Sequence, residues 1–300
     1  MTLTAEQVRA QLPDLARAAQ EVDGVAPLSE QTLLNARHGA PDGESPDGQG
    51  PAMVWHDVDG ELIAIAVSDA SRASYELVVR PDHRRNGYGA SLLDLVVNQV
   101  SEEGAARVWA HGDLPTARSL ATSHGLHVVR ELWKMARPVD GEPGIEEPSL
   151  PIGFASRHFE PGADDEAWLG VNARAFAHHP EQGRMTLADL RERMDQDWFD
   201  PTGLLLIEDV TGERPVLAAS HWTKIEPPGA AEGEVYVVAV DPAYQGRGLG
   251  RAVTALGLAH LAAAGVRAID LYVEGDNAPA IATYRGWGFE KANADVMYAR

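Results

Sequence analysis

The sequence predicts an α/β protein of two similar domains in tandem, each a mixed twisted sheet flanked by helices. Three observations carry this reading. Residues 235–264 run as an apolar β-stretch, a turn, a glycine-rich loop and a helix. The same unit occurs earlier, with Pro81 standing for Pro242 and Gly87 for Gly248 at an offset of 161 residues. Between the copies, residues 138–148 are rich in Pro, Gly and Glu, lack apolar periodicity and read as a linker. A length of 300 residues suits two domains that each bury a core. The expected division is residues 1–137, a linker at 138–151, and residues 152–300.

Apolar periodicity and turn signals give the elements. In the first copy, helices are expected at 4–22, 30–37, 90–103 and 115–124, and strands at 62–67, 75–79, 107–110 and 127–133. The helix at 90–103 has Leu92, Leu93, Val96, Val97 and Val100 as its apolar face and Gly104 as its stop. In the second copy, helices are expected at 166–176, 187–195, 251–264 and 278–287. Its strands are expected at 204–208, 216–222, 234–240, 268–273 and 292–298. Leu249, Val253, Leu256 and Leu261 mark the buried face of the helix after the loop, and Gly265 its end. Late in each copy Val108–Asp113 matches Leu271–Asp276, and Gly125-Leu126 matches Gly288-Phe289 at an offset of 163. A polar stretch from Gly39 to Pro51 reads as an exposed loop of the first domain.

The loop Gln245-Gly246-Arg247-Gly248-Leu249-Gly250 lets backbone amides approach a ligand closely. The helix N-terminus behind it favours negative charge, reinforced by Arg247 and Arg251. The chemistry is that of a pyrophosphate cradle. It is not a Walker loop, because no Lys-Ser/Thr follows the glycines. It matches the dinucleotide fingerprint only loosely, and no ribose-binding acid follows on schedule. The loop instead resembles the Gln/Arg-x-x-Gly-x-Gly segment of the GCN5-related N-acetyltransferases, which grips the pyrophosphate of acetyl-CoA.

That resemblance implies acetyl-CoA as co-substrate. It also implies that Val238, Ala239, Val240, Gln245, Gly246, Arg247, Gly248, Leu249, Gly250 and Arg251 hold it, together with Asn277, Ala278, Pro279, Ala280, Ile281 and Ala282. In the first copy the matching positions are Leu77, Val78, Val79, Arg85, Asn86, Gly87, Tyr88, Gly89 and Ala90.

Acetyl transfer to an amine needs a base for the ammonium proton, and it benefits from an acid for the departing thiolate. Glu234 opens the strand that leads to the loop. By alternation it shares a face with Tyr236 and Val238 and can point into a cleft, as base either directly or through a water. The segment 277–289 resembles the family's Asn-x-x-Ala-x-x-x-Tyr-x-x-x-Gly-Phe stretch, which implies that Tyr284 is the general acid. A solvated strand-edge carboxylate and a packing tyrosine are the bland readings of the same two residues. The repeat offsets place Ala73 and Ala121 opposite Glu234 and Tyr284, and neither alanine can move a proton. The C-terminal copy is therefore expected to be catalytic, and the N-terminal copy structural or substrate-supporting.

Residues 172–183 (Asn-Ala-Arg-Ala-Phe-Ala-His-His-Pro-Glu-Gln-Gly) and Trp198-Phe199-Asp200-Pro201 resemble one branch of that family. Its members are tandem acetyltransferases that act on the cysteinyl amine of cysteinyl-glucosaminyl-inositol to give mycothiol. The likeness covers most of the chain and is weakest before Glu61. It implies that Glu30, Glu181, Lys224, Glu234 and Tyr272 contact this substrate. The alternatives are a tandem acetyltransferase for another amine, such as an aminoglycoside or a protein N-terminus, and a non-catalytic acyl-CoA sensor.

Composition narrows the classes further. With 45 acidic against 25 basic residues, the formal charge is −20. That argues against a nucleic-acid groove and against an anionic membrane surface, so neither nucleic acid nor membrane is an expected partner. No cysteine is present, so there is no thiol nucleophile, disulfide or thiolate metal site. His178 and His179 are adjacent and cannot easily face one ion, and no third ligand stands at zinc-like spacing; no metal is expected. Trp198 and Trp222 read as packing residues rather than a sugar platform. A cytoplasmic monomer is expected, since no secretory pattern and no run near about 18 apolar residues occurs.

Overall fold

The computed structural model describes residues 3–38, 52–69, 74–98, 100–101, 104–105, 107–177 and 182–300. Among these, the first repeat forms α1 (Ala5–Asp23), α2 (Glu30–His38), β1 (Met53–Val58), β2 (Glu61–Ser68), β3 (Ser74–Val79) and α3 (Tyr88–Val97). It continues through β4 (Val100–Ser101), β5 (Gly104–Ala105), β6 (Arg107–Ala110), α4 (Pro115–Ser123) and β7 (His127–Pro138). The second repeat forms β8 (Phe154–His158), α5 (Asp165–Ala175), α6 (Leu187–Met194), β9 (Leu204–Asp209), β10 (Val216–Lys224) and β11 (Glu232–Val240). It ends in α7 (Leu249–Ala263), β12 (Ala268–Glu274), α8 (Ala278–Gly286) and β13 (Glu290–Ala299).

Three departures from the sequence reading have local causes. The helix expected to reach residue 103 stops at Val97, where the Asn98 side-chain amide donates to the Asp94 carbonyl at 2.8 Å. Such back-bonding competes with continuation of the helix. Val100 then pairs with Ala105 in a short antiparallel hairpin. Strands β1 and β8 were not expected, because His56, Asp57, Arg157 and His158 interrupt their apolar character; both lie at sheet edges. The stretch expected at 39–51 as an exposed loop lies outside the described residues.

The chain forms two compact units that do not follow chain order. The first is Met1–Trp133 with Glu274–Asp276 and Asn293–Arg300; the second is Lys134–Val273 with Asn277–Ala292. In the first, the strand order is β1-β2-β3-β6-β13. One sheet face buries Val8, Leu12 and Leu15 of α1 against Leu62, Ile65 and Val67. The other buries Leu92 and Val96 of α3 and Ala121 of α4 against Ala64, Ala66, Val296 and Tyr298.

In the second unit the order is β7-β12-β11-β10-β9-β8. Trp168, Leu190, Trp198 and Trp222 fill the α5–α6 face, and Ile207, Leu249 and Val253 the α7 face. The segment read as a linker is bonded into this unit. Val139 N–H donates to the Arg267 carbonyl at 2.9 Å. The buried Arg137 guanidinium donates to the carbonyls of Gly141 (3.1 Å), Pro143 (2.9 Å) and Trp287.

Two buried histidines, one in each unit, lock elements within that unit. In the second, the fully buried His221 on β10 lies against α7, with Nδ1 donating to the Val253 carbonyl at 2.9 Å. Burial drives its pKa down to about 4, so the ring is neutral. A Cβ on Gly257 would collide with that ring, so glycine is what lets helix and strand close. In the first unit, His111 Nδ1 lies 2.9 Å from Asp295 on β13, and its Nε2 3.5 Å from the buried Glu76 on β3. Burial alone would lower its pKa, but the Asp295 and Glu76 carboxylates outweigh that and raise it to about 10.

Gly257→Ala is expected to lower stability by about 1–3 kcal/mol or more through overpacking, read as a lower denaturation midpoint. His111→Gln should cost about 3 kcal/mol at neutral pH, because it leaves the buried Glu76 and the half-buried Asp295 without their cation. The pH dependence follows from a folded pKa above the unfolded one. The contribution is complete below pH about 6.5, declines as pH rises from there and is gone above about 10. Urea titrations of both proteins at a series of pH values should therefore converge near pH 10.

Candidate active site

Strand β11 is the spine of the site. Its parallel register with β12 runs from Glu232↔Ala268 to Val235↔Leu271 and stops there, although β11 continues to Val240. Beyond Val235 the β12 side of its backbone is left to another partner. The first unit repeats this splay, with β3 pairing β6 only from Ser74↔Arg107 to Glu76↔Trp109. Leu77, Val78 and Val79 lie past that point, as Val238, Ala239 and Val240 do in the second.

The β10–β11 register slips between Trp222 and Thr223, so Tyr236 is the extra residue of a β-bulge. The bulge reverses the facing of the residues beyond it. Tyr236, Val237 and Ala239 pack on the α5–α6 face, whereas Val238 and Val240 pack with α7. The expectation that Glu234 shares a face with both Tyr236 and Val238 is therefore half corrected: simple alternation cannot see a bulge.

Past β11 the turn is braced by Asp241. One carboxylate oxygen accepts from Ala243 N–H at 2.9 Å, and the other from Arg174 of α5 at 2.6 and 2.8 Å. Gly246 (φ 76°) and Gly248 (φ 82°) then take left-handed conformations, and a Cβ on Gly246 would point into open space. Gly248 is the N-cap of α7 and supplies no side-chain cap, so the first-turn amides of α7 face outward for an anion. The Arg247 guanidinium stacks 4.9 Å over the Tyr244 ring, and Arg251 4.9 Å over Trp287. Arg251 also bonds Glu146. The cradle thus suits a pyrophosphate in shape and charge.

The twin loop keeps the backbone shape with different chemistry. Arg85 (φ 67°) stands where Gly246 stands, and Gly87 (φ 87°) where Gly248 does. Arg84 is held by Asp23 at 2.6 and 2.7 Å. The Asn86 amide donates to the His83 carbonyl at 3.2 Å, and α3 opens with Tyr88, Gly89 and Ala90.

Around Glu234 the sheet assembles a row of charges. Lys224 on β10 and Asp270 on β12 are its direct register partners. Lys224 Nζ lies 4.7 Å from the Trp198 ring, 5.4 Å from Tyr236 and 2.7 Å from Glu226. Tyr236 OH accepts from Arg193 of α6 at 3.0 Å. Trp198 and Trp222 are both buried, in the packing role expected of them. Tyr272, two residues past Asp270, is exposed. Asn277 caps α8 through Ala280 N–H at 3.2 Å, with Pro279 in the first turn, Ile281 buried and Ala282 exposed.

Tyr284 packs edge-on to Phe289 at 5.9 Å, and burial raises its pKa, which keeps the hydroxyl protonated. Ala121 is buried in α4. Glu30 is half-buried at the first position of α2, in the first unit. Glu181, His178, His179 and Ala73 lie outside the described residues. Among the described residues no group of three or more His, Asp or Glu could hold a metal, and no helix is long and apolar enough to cross a membrane.

Asp270, Lys134, Arg174 and the Trp198–Tyr236 cage of Lys224 carry no motif that marks them in the sequence. The one signal was Asp270 two residues before Tyr272, on the same face of a strand. Lys134 had none, because its strand's neighbour is set by tertiary pairing.

The acetyltransferase (GNAT) family profile matches residues 28–125 and 172–289. The chain is similar to the mycothiol acetyltransferase of Catenulispora acidiphila, with 46% identity over 96% of this chain and 94% of that one. It is 50% identical to that of Cellulomonas flavigena, over 92% and 81% respectively. Its fold is similar to a GCN5-related N-acetyltransferase from Sphaerobacter thermophilus (TM-score 0.64, 23% identity, 99% and 93% covered). It is also similar in fold to a tandem GNAT protein of the clavulanic acid biosynthesis pathway (TM-score 0.66, 18% identity, 99% and 96% covered). On these identities the chain belongs to the mycothiol acetyltransferases of the GNAT family.

Proposed function

We propose that this chain transfers the acetyl group of acetyl-CoA to the cysteinyl amine of cysteinyl-glucosaminyl-inositol, forming mycothiol in the cytoplasm. The observation that carries the reading is the layout of β11, with Glu234 near one end and the anion cradle just past the other. Acetyl-CoA would supply the activated acyl group, held by Val238, Ala239 and Val240, by the 245–251 loop and by the start of α8 from Asn277 to Ala282. Glu234 takes the proton of the acceptor ammonium, directly or through water, and so frees the amine lone pair. Tyr284, kept protonated by burial, gives a proton to the departing sulfur. Glu181, Lys224 and Tyr272 hold the hydroxyl-rich acceptor; a carboxylate, an ammonium and a phenol suit such a ligand.

Catalysis is assigned to the C-terminal copy, residues 152–300. The N-terminal copy, residues 1–137, is structural or substrate-supporting: β3 lacks the bulge of β11, so by register the counterpart of Glu234 is Ser74, bonded to Asp69, and not the expected Ala73, while Ala121 is the counterpart of Tyr284. Its loop backbone remains compatible with a CoA-like ligand.

Glu234→Gln and Tyr284→Phe are each expected to lower kcat by about 10²-fold or more. Wild-type rates in both would overturn the assignment. Gly248→Val should raise the KM for acetyl-CoA about tenfold or more, whereas Gly87→Val should leave kcat within about threefold; the reverse pattern would move the active copy to the N-terminal domain. The acceptor is tested by comparing kcat/KM for cysteinyl-glucosaminyl-inositol, an aminoglycoside and a peptide N-terminus, with the first expected to lead. Thiol profiling of a strain lacking the gene should show the unacetylated cysteinyl compound accumulating.

A further inference from the structure

The charge row across the second unit contains one more cation than the proposed chemistry uses. Lys134, on β7, places Nζ 2.6 Å from Asp270 Oδ2. Asp270 stands in direct register with Glu234 on the neighbouring strand, and Lys224 stands in register with Glu234 on the other side. The order across four strands is Lys224, Glu234, Asp270, Lys134, so two carboxylates on adjacent strands are flanked by two lysines. Adjacent strands lie about 4.8 Å apart, close enough for the acids to act on each other. Glu232, one pleat earlier on β11, adds a third carboxylate to the same face.

Two such acids side by side are poorly suited to a single proton transfer. Unpaired, they would share a proton and offer the acceptor ammonium two competing anchors. The two lysines are not equivalent. Lys224 is turned toward Trp198, Tyr236 and Glu226, with Arg193 on the Tyr236 hydroxyl. Lys134 is committed to Asp270, with the Tyr272 ring 5.9 Å from its ammonium.

We propose that Lys134 is a positioning residue, which neutralises Asp270 so that Glu234 alone receives the ammonium proton. Burial raises the Asp270 pKa, and the Lys134 hydrogen bond and charge oppose that rise. On Lys134 itself burial acts downward, and Asp270, Glu232 and Glu234 raise its pKa past that penalty. At 2.6 Å each member of the pair favours the charged form of the other. With Lys134 removed, Asp270 would bear on Glu234 as an uncompensated like charge or take up a proton of its own.

The inference rests on Glu234 as base, and its test separates the two ideas through pH profiles of kcat/KM for the acceptor. Lys134→Met is expected to move the acidic limb up by about one pH unit, while the KM for acetyl-CoA stays within about twofold. Lys134→Arg should restore the wild-type limb. Lys134→Met combined with Asp270→Asn should bring the limb back to or below wild type, because the competing charge is gone. If Lys134→Met does not fold, Asp270→Asn alone decides: its limb should move down. An unmoved limb in Lys134→Met or, failing that, in Asp270→Asn overturns the role of Lys134 when Glu234→Gln is slow. A Glu234→Gln enzyme at wild-type rate overturns the base assignment instead.

Discussion

The rest of the second unit depends on where β11 leaves β12. Up to Val235 the two strands are paired, and their side chains are pressed into rows at fixed spacing. After Val235 the pairing ends, and the bulge at Tyr236 turns the strand. Upstream, geometry is delivered by side chains: Glu234 is held between Lys224 and Asp270. Downstream, it is delivered by backbone, which runs into a turn braced by Asp241 and a loop that ends on bare helix amides. One strand thus carries the proposed acid–base group and leads into the anion cradle, and their separation is set by strand rise rather than by flexible loops.

Burying a lysine beside that row requires compensation. Lys224 has only 8% of its side chain exposed, and its ammonium is met by Glu226 and by the faces of Trp198 and Tyr236. A desolvated cation over aromatic faces gains about 2 kcal/mol, and the carboxylate supplies the opposite charge. Trp198 and Trp222 are therefore core residues with a second task, since the cluster that stabilises the α5–α6 face also aims the ammonium. A tryptophan at such a position is explained by packing and electrostatics together.

The two repeats show which part of the motif is cheap to keep. The first copy holds the loop in the same backbone conformation even with Arg85 in a left-handed geometry, a strain of about 1–2 kcal/mol for a residue with a Cβ. Asp23 holds Arg84 in place through a bidentate pair. The buried Ala121 contributes packing and cannot contribute a proton. Conformation and chemistry are thus separable: the loop's shape persists even where it strains a residue with a Cβ, while an acid–base pair needs particular side chains at particular points of a sheet.

That separation also divides what could be read from the chain alone. The tandem repeat, the two glycine loops, the helices behind them, and Glu234 and Tyr284 as candidate acid–base groups were legible, because they rest on local spacing and on residue type. The sequence also determined that only one copy carries both groups. Tertiary structure decided the rest. Alternation could not show the bulge that sends Val238 to the α7 face, because a bulge is defined by the partner strand's register. Periodicity could not show that residues 138–151 are bonded into the second unit, since Arg137 reaches backbone carbonyls that no side-chain pattern reveals. Lys134 and Asp270 meet Glu234 only through the pairing of β7, β12 and β11, strands far apart in the chain, and proximity of that kind is a property of the sheet.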